Sequence, residues 1–329
     1  AAHDIGYFFY NGGGDSQDTT FKVSEMAKKL KFPLQCIGIP KTVDNDLPYT
    51  DCSPGFGSVA KYVATSTLEA GLDVKSMAET STKVFILEVM GRHAGWIAAA
   101  SCLAASNQGD PPHIILLPEV PFEKGKFIAQ VKQTVKSNGY CVIVASEGTK
   151  TKAGKFLADS GLTDAFGHKQ LGGVAPVISS MISKIGLKNH WAVADYLQRS
   201  ARHIASKTDL DQAYAVGEHA VKLAVAGKTA VMPIIKRISD SPYKWKIATA
   251  PLKNIANVEK SMPRKFISKN GFEITSAGRK YLSPLIQGEA PTNFKFGIPE
   301  VVSLKKKFVK KKFNEFKKCY IFFTTPLKL

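Results

Sequence analysis

No apolar run in the 329-residue sequence reaches the roughly 18 residues that a membrane span requires. The first residues, Ala1-Ala2-His3-Asp4, lack the basic patch and apolar stretch of a secretory leader. Cysteine is sparse. The five (Cys36, Cys52, Cys102, Cys141, Cys319) form no CxxC pair and stand beside no histidine at ligand spacing, which argues against a zinc site or a disulfide scaffold. The expectation is a cytoplasmic protein with ordinary thiols. Acidic residues are also few, 27 against 45 basic, for a net charge of +18. Much of that excess sits in Ser303–Lys318, where eight lysines face one glutamate.

What is present is an alternation of short apolar runs and amphipathic stretches. Strands are expected at 4–10, 34–39, 83–90, 113–118, 140–146 and 229–236, because near-continuous apolar runs fit parallel strands buried on both faces. Helices are expected at 16–30, 56–78, 94–106, 124–137, 172–185 and 209–226. This order predicts an α/β fold with doubly wound, mostly parallel sheets, in which ligands bind beyond the carboxyl ends of strands. Segment 148–168 reads as a polar surface loop. From 240 to 300 the pattern weakens, broken up by Pro242, Pro251, Pro263, Pro284 and Pro291. Residues 4–10 read as a strand already inside a domain, so the sequence is expected to continue a longer chain.

The loops after the strands carry the chemistry. Asn11-Gly12-Gly13-Gly14-Asp15-Ser16 follows the first strand and opens a helix, where glycines allow close approach and free N–H groups favour an anion. Asp15 puts a negative charge in that spot, so it must repel a ligand, bind a metal or pair with a cation. Lys41-Thr42-Val43-Asp44-Asn45-Asp46 follows the second strand. Asp44 is placed to take a proton from a hydroxyl, Thr42 to donate to a phosphoryl group and Lys41 to neutralise charge, the needs of phosphoryl transfer. Met90-Gly91-Arg92 follows the third strand and offers a guanidinium fork for phosphate or carboxylate. Glu147 ends a strand and is suited to sugar hydroxyls, and Tyr196-Leu197-Gln198-Arg199 adds a second cation. Each segment alone also reads as an ordinary capped turn.

Taken together, GGGDS, KTVDND, MGRHAGW, a strand-end glutamate and YLQR, in this order and spacing over about residues 5–290, resemble the phosphofructokinase family. Asp15 and Lys41, where ATP-using members carry glycines, make the chain similar to the pyrophosphate-dependent branch. The resemblance implies two Rossmann-like domains, divided as 1–58 (phosphoryl donor), 59–199 (sugar phosphate), 200–300 (return to the first) and a lysine-rich tail, 301–329. It implies Asp44 as general base, with Thr42, Lys41 and Asp15 at the transferring phosphate, and Gly12 and Gly13 as phosphate binders. Val43, Asp46, Met90, Gly91, Arg92, Glu147, Tyr196, Leu197, Gln198 and Arg199 would hold the sugar phosphate. Lys83 would reach the sugar phosphate of a neighbouring subunit.

The implied substrates are fructose 6-phosphate and pyrophosphate, with Mg2+ as counter-ion, in a homo-oligomer, a dimer, with no nucleic-acid partner. The metal's protein ligand is left open, because Gly14 stands where many members carry an aspartate. A glycine-rich loop expected ahead of the first strand lies outside this sequence. His190 and Asp195 stand where relatives usually have Arg and Gly. An ATP-dependent kinase and a catalytically inactive sugar-phosphate-binding subunit are the alternatives. For the tail, binding to an anionic membrane or RNA is the alternative to a merely solvated charge run.

Overall fold

The computed structural model describes residues 2–163, 169–171 and 173–314. Two four-stranded sheets organise the chain. The first contains β1 (Tyr7–Gly12), β2 (Gln35–Pro40), β9 (Val231–Asp240) and β10 (Tyr243–Pro251), in that spatial order. β1 runs parallel to β2 from Tyr7↔Gln35 to Gly12↔Pro40, β2 parallel to β9, and β10 closes the edge antiparallel. The second sheet is parallel throughout, in the order β4 (Ile114–Leu116), β5 (Cys141–Ser146), β3 (Val84–Val89) and β8 (Asn189–Val193). The helices are α1 (Gly14–Lys29), α2 (Phe56–Met77), α3 (Trp96–Ala100), α4 (Lys124–Asn138), α5 (Val174–Ser183), α6 (Leu197–Ser200), α7 (Lys207–Val225) and α8 (Ser276–Leu282). The expected fold class is the one observed.

The main apolar core lies between the sheets. Phe56, Val59 and Val63 of α2 meet Leu87 and Val89 of β3, the buried α3 and Ile235 of β9. A second core covers the other face of the second sheet, joining Ile86 and Ile143 to Phe127 and Val131 of α4 and Ile178 and Ile182 of α5. Both faces of β3 and β5 are therefore buried, which is why their sequences read as unbroken apolar runs. The buried N-terminus of α2 has no local side-chain cap. Asp209 of α7 supplies one across the fold, accepting from Gly55 N (2.9 Å), Ser58 N (3.1 Å) and Ser58 Oγ (2.5 Å). No helix among the described residues is long and apolar enough to cross a membrane.

Several expectations are corrected. The helix at 94–106 stops at Ala100 and tightens into a 3-10 turn, Ser101–Ala104. There the Ser101 hydroxyl donates back to Ala98 O (2.6 Å), and the Arg279 guanidinium takes the carbonyls of Cys102 and Ala105. The loop at 148–168 contains β6 (Asp159–Thr163), which pairs antiparallel with β7 (Lys169–Leu171). Residues 164–168, and position 172 of the helix expected at 172–185, lie outside the described residues. The stretch 240–300 was expected to carry only a weakened pattern, yet it holds β10. Pro242 occupies the turn before that strand and Pro251 its end, so neither removes an interior ladder bond. β8 was not expected at all: it is an edge strand with Trp191 and Val193 exposed, not an apolar run.

We propose the division 1–58, 59–199 and 200–300, because it leaves each sheet's strands within their own unit. The boundary at 58 falls in the first turn of α2. The tail from 301 to 314 is exposed and free of regular structure, and 315–329 lie outside the described residues.

Candidate active site

A cavity of about 850 Å3 opens where the carboxyl ends of the two sheets face each other. The first sheet contributes Gly13, Gly14, Asp15 and Ser16 after β1, and Thr42, Asp44, Asp46 and Leu47 after β2. The second contributes Met90, Arg92, His93 and Ala94 after β3, Glu147 after β5, and Asp195, Tyr196 and Arg199 after β8. Parallel strands all end at one edge, so loops far apart in sequence converge there.

The loop after β2 is internally braced. The Thr42 hydroxyl donates to Asp44 Oδ2 (3.3 Å) and accepts from Asp44 N (3.1 Å). Burial raises the Asp44 carboxyl above its ordinary value, opposed by Thr42 and by the charges of His93, Arg92 and Arg199. Asp46 is pushed up to about 6, first by burial and then by Asp44. One of its oxygens, Oδ1, is buried without a hydrogen-bond partner among the described residues, and so is Nε of Arg92. Such atoms are expensive to bury unless something polar meets them. Here one is an acceptor and the other a donor, on opposite walls of one cavity.

On the second sheet, the Met90–Arg92 loop is held from two sides. Gly91 N donates to Glu147 Oε1 (3.4 Å), Met90 N to Gln198 Oε1 (3.3 Å), and the Ser146 hydroxyl to Gly91 O (2.6 Å). Gly91 has φ 129°, and a Cβ there would lie 2.7 Å from Ala94 O. Gly148 is required by the same loop: its Cβ would meet Arg92 O at 2.1 Å. Burial raises the Glu147 carboxyl, with Gly91 and Arg92 pulling it down. The Arg199 guanidinium lies 4.1 Å above the Tyr196 ring, a stacking that orients it.

Not every expected residue reaches the cavity. Gly12 and Gly91 are buried behind it, Val43 packs on the core, and Leu197 is exposed outside it. Gln198 is buried and spends its amide on Met90 N and Asp195 O, so it ties two loops together. Lys41 is exposed and does not line the cavity, its N–H donating to Gly12 O (3.2 Å). Lys83 precedes β3 and lies about 20 Å from Met90, given roughly 3.3 Å per strand residue. Its ammonium is held by the carbonyls of Ala78 and Glu79.

The sequence reading missed the wall formed by Asn257, Val258 and Glu259. His93 pairs with Glu259 (3.1 Å), and the Trp96 indole N–H donates to Lys260 O (3.0 Å), which fastens this wall to the loop after β3. No motif marks these residues. Asp195 has φ 36°, a conformation that favours glycine, and its carboxylate shares the cavity with Arg199. In all, six carboxylates line the space against two arginines and one histidine.

The phosphofructokinase family model matches residues 1–224. The chain is 63% identical over 317 residues to the pyrophosphate–fructose 6-phosphate 1-phosphotransferase of Halomonas elongata, covering 96% of this chain and 76% of that protein. It is 60% identical to the protein of the same name from Methylococcus capsulatus, over 92% of this chain and 72% of that one. The crystal structure of a pyrophosphate-dependent phosphofructokinase from Marinobacter aquaeolei superposes with a TM-score of 0.87 at 58% identity, covering 96% of this chain and 76% of that one.

Proposed function

The chain belongs to the phosphofructokinase family, and on that premise we propose that it transfers a phosphoryl group reversibly from pyrophosphate to the 1-hydroxyl of fructose 6-phosphate, giving fructose 1,6-bisphosphate. The observation that carries the reading is the cavity: a braced Thr42–Asp44 pair on one sheet faces two arginines and a glutamate on the other. The names of the relatives support pyrophosphate over ATP as donor.

In this reading Asp44 accepts the proton of the sugar 1-hydroxyl as its oxygen attacks phosphorus, and orthophosphate leaves. Thr42 donates to the transferring group, and Lys41 and the first turn of α1, which no side chain caps, stabilise the departing phosphate. Glu147 accepts from sugar hydroxyls, while Arg92, Tyr196 and Arg199 hold the phosphorylated end. Mg2+ fits the donor set. The buried, unpartnered Asp46 Oδ1 and the Asp15 carboxylate are the protein oxygens on offer, and the ion usually keeps waters and phosphate oxygens as its other ligands. When bound, it would offset the charge of pyrophosphate in a cavity already rich in carboxylates.

Lys83 cannot serve its own chain's cavity across the length of β3. Its role at a sugar phosphate therefore requires a second copy, and we propose a homodimer on that basis. The tail is exposed as far as residue 314, and its Lys312 pairs with Asp4 (3.1 Å).

The reverse reaction tests the proposal. Fructose 1,6-bisphosphate with orthophosphate and Mg2+ is expected to yield pyrophosphate and fructose 6-phosphate; no pyrophosphate formed would count against it. The alternative of an inactive binding subunit is favoured by Asp195, a like charge beside the phosphate-holding arginine. Asp195→Gly is expected to lower the KM for fructose 6-phosphate about fivefold, from roughly 1 kcal/mol of relieved repulsion. Stability should be unchanged or higher, since the left-handed backbone then suits its residue. An unchanged KM would show that Asp195 points its charge away from the substrate.

A further inference from the structure

The turn that presents Asp44 and Asp46 to the cavity is fixed from behind by residues that do not line it. Between the two aspartates lies Asn45, fully buried, with φ 55°. A rotation there would swing both carboxylates. Its amide is held on every side. Oδ1 accepts from Ser53 N (3.0 Å) and from Lys260 Nζ (3.4 Å), and Nδ2 donates to the Tyr281 hydroxyl (3.1 Å). The Tyr281 O–H in turn donates to Asp51 O (2.5 Å). Lys260 Nζ also donates to Thr50 O (3.0 Å) and Asp51 O (2.9 Å), and Lys260 N donates to Asp46 O (2.6 Å).

Both outer residues are themselves anchored. The Tyr281 ring packs 5.2 Å from Trp96 and 5.5 Å from Phe266, and the ammonium of Lys260 lies 5.4 Å from the Trp96 ring. The Arg237 guanidinium, paired with Asp51 (3.0 Å), takes Tyr281 O as well. This arrangement converges on one amide, that of Asn45.

We propose that Tyr281 and Lys260 are positioning residues for the reaction: through Asn45 they set where Asp44 and Asp46 stand. This rests on the reading of Asp44 as the base. A displacement of the order of 1 Å costs such chemistry up to a hundredfold, so the cost should fall on turnover and not on binding.

The experiment compares Tyr281→Phe, Lys260→Met, their double variant and Asp44→Ala in steady-state assays with pyrophosphate, Mg2+ and fructose 6-phosphate. Tyr281→Phe removes one oxygen and leaves the ring stack. It is expected to lower kcat about tenfold with both KM values within about twofold and an unchanged circular-dichroism spectrum. Lys260→Met is expected to lower kcat at least as much. The double variant should lose less than the product of the single losses, because both act through one amide. If Lys260→Met does not fold, Tyr281→Phe alone decides. A kcat for Tyr281→Phe within twofold of the parent, whatever its melting temperature, overturns the proposal while Asp44→Ala is inactive. If Asp44→Ala keeps the parent's kcat, the underlying assignment of the base fails, and this inference with it.

Discussion

Asp44→Ala is expected to lower kcat by about 10²–10⁴-fold, the usual contribution of a general base, while the KM for fructose 6-phosphate changes little. The geometry explains the expected split. Asp44 lines the cavity with its carboxylate oriented by Thr42, whereas the phosphorylated end of the sugar is assigned to Arg92 and Arg199 on the opposite sheet. Steady-state rates and calorimetric binding of fructose 6-phosphate separate the two effects. A loss below about tenfold would remove Asp44 from the role.

The same carboxylate sets the acid limb of the pH profile. Burial raises Asp44, and its neighbour Asp46 stands at about 6. A base works only when ionised, and a raised value means that protonation begins at a higher pH than for an exposed aspartate. The kcat/KM is therefore expected to begin falling at a higher pH than an exposed aspartate would set, with Asp46 taking up its own proton at about 6. Asp46→Asn should move that limb downward, because it removes the neighbouring negative charge.

The second large effect concerns the donor. Lys41→Gly is expected to reduce pyrophosphate-dependent kcat/KM by about a hundredfold, and Asp15→Gly together with Lys41→Gly to bring measurable use of ATP. The parallel register Gly12↔Pro40 sets the two loops side by side, and Lys41 N donates to Gly12 O; Asp15 lines the cavity, and Lys41 adjoins Thr42, which does too. A lysine there is suited to the second phosphate of pyrophosphate. An aspartate on the first turn of α1 repels a longer phosphate chain, so discrimination is built in part from repulsion. Initial rates with each donor check this. Unaltered preference in the double variant would place donor choice elsewhere.

The sequence made parts of this architecture legible for physical reasons. Strands β3 and β5 are buried on both faces, so their apolar runs stand out. Each loop that ends such a strand carries polar residues that a core could not hold, and Thr42, Asp44, Arg92 and Glu147 were visible on that ground. Strand β8 and the wall at Asn257–Glu259 were not. The first is an edge with exposed side chains; the second reaches the cavity only through tertiary contacts, in a stretch broken up by prolines. Lys260 and Tyr281 are further cases. Nothing local in NVEKSM or GRKYL says that a buried ammonium and a phenol will meet on Asn45, more than 200 residues away along the chain. Gln198 shows the converse: a residue inside a recognisable segment that spends its amide on the loops beside it.

The most direct test of the central claim is the forward reaction followed by phosphorus NMR. The purified chain, fructose 6-phosphate, Mg2+ and pyrophosphate are expected to give fructose 1,6-bisphosphate and orthophosphate in equal amounts, and ATP in place of pyrophosphate to give neither. Fructose 1,6-bisphosphate formed from ATP but not from pyrophosphate would contradict the account.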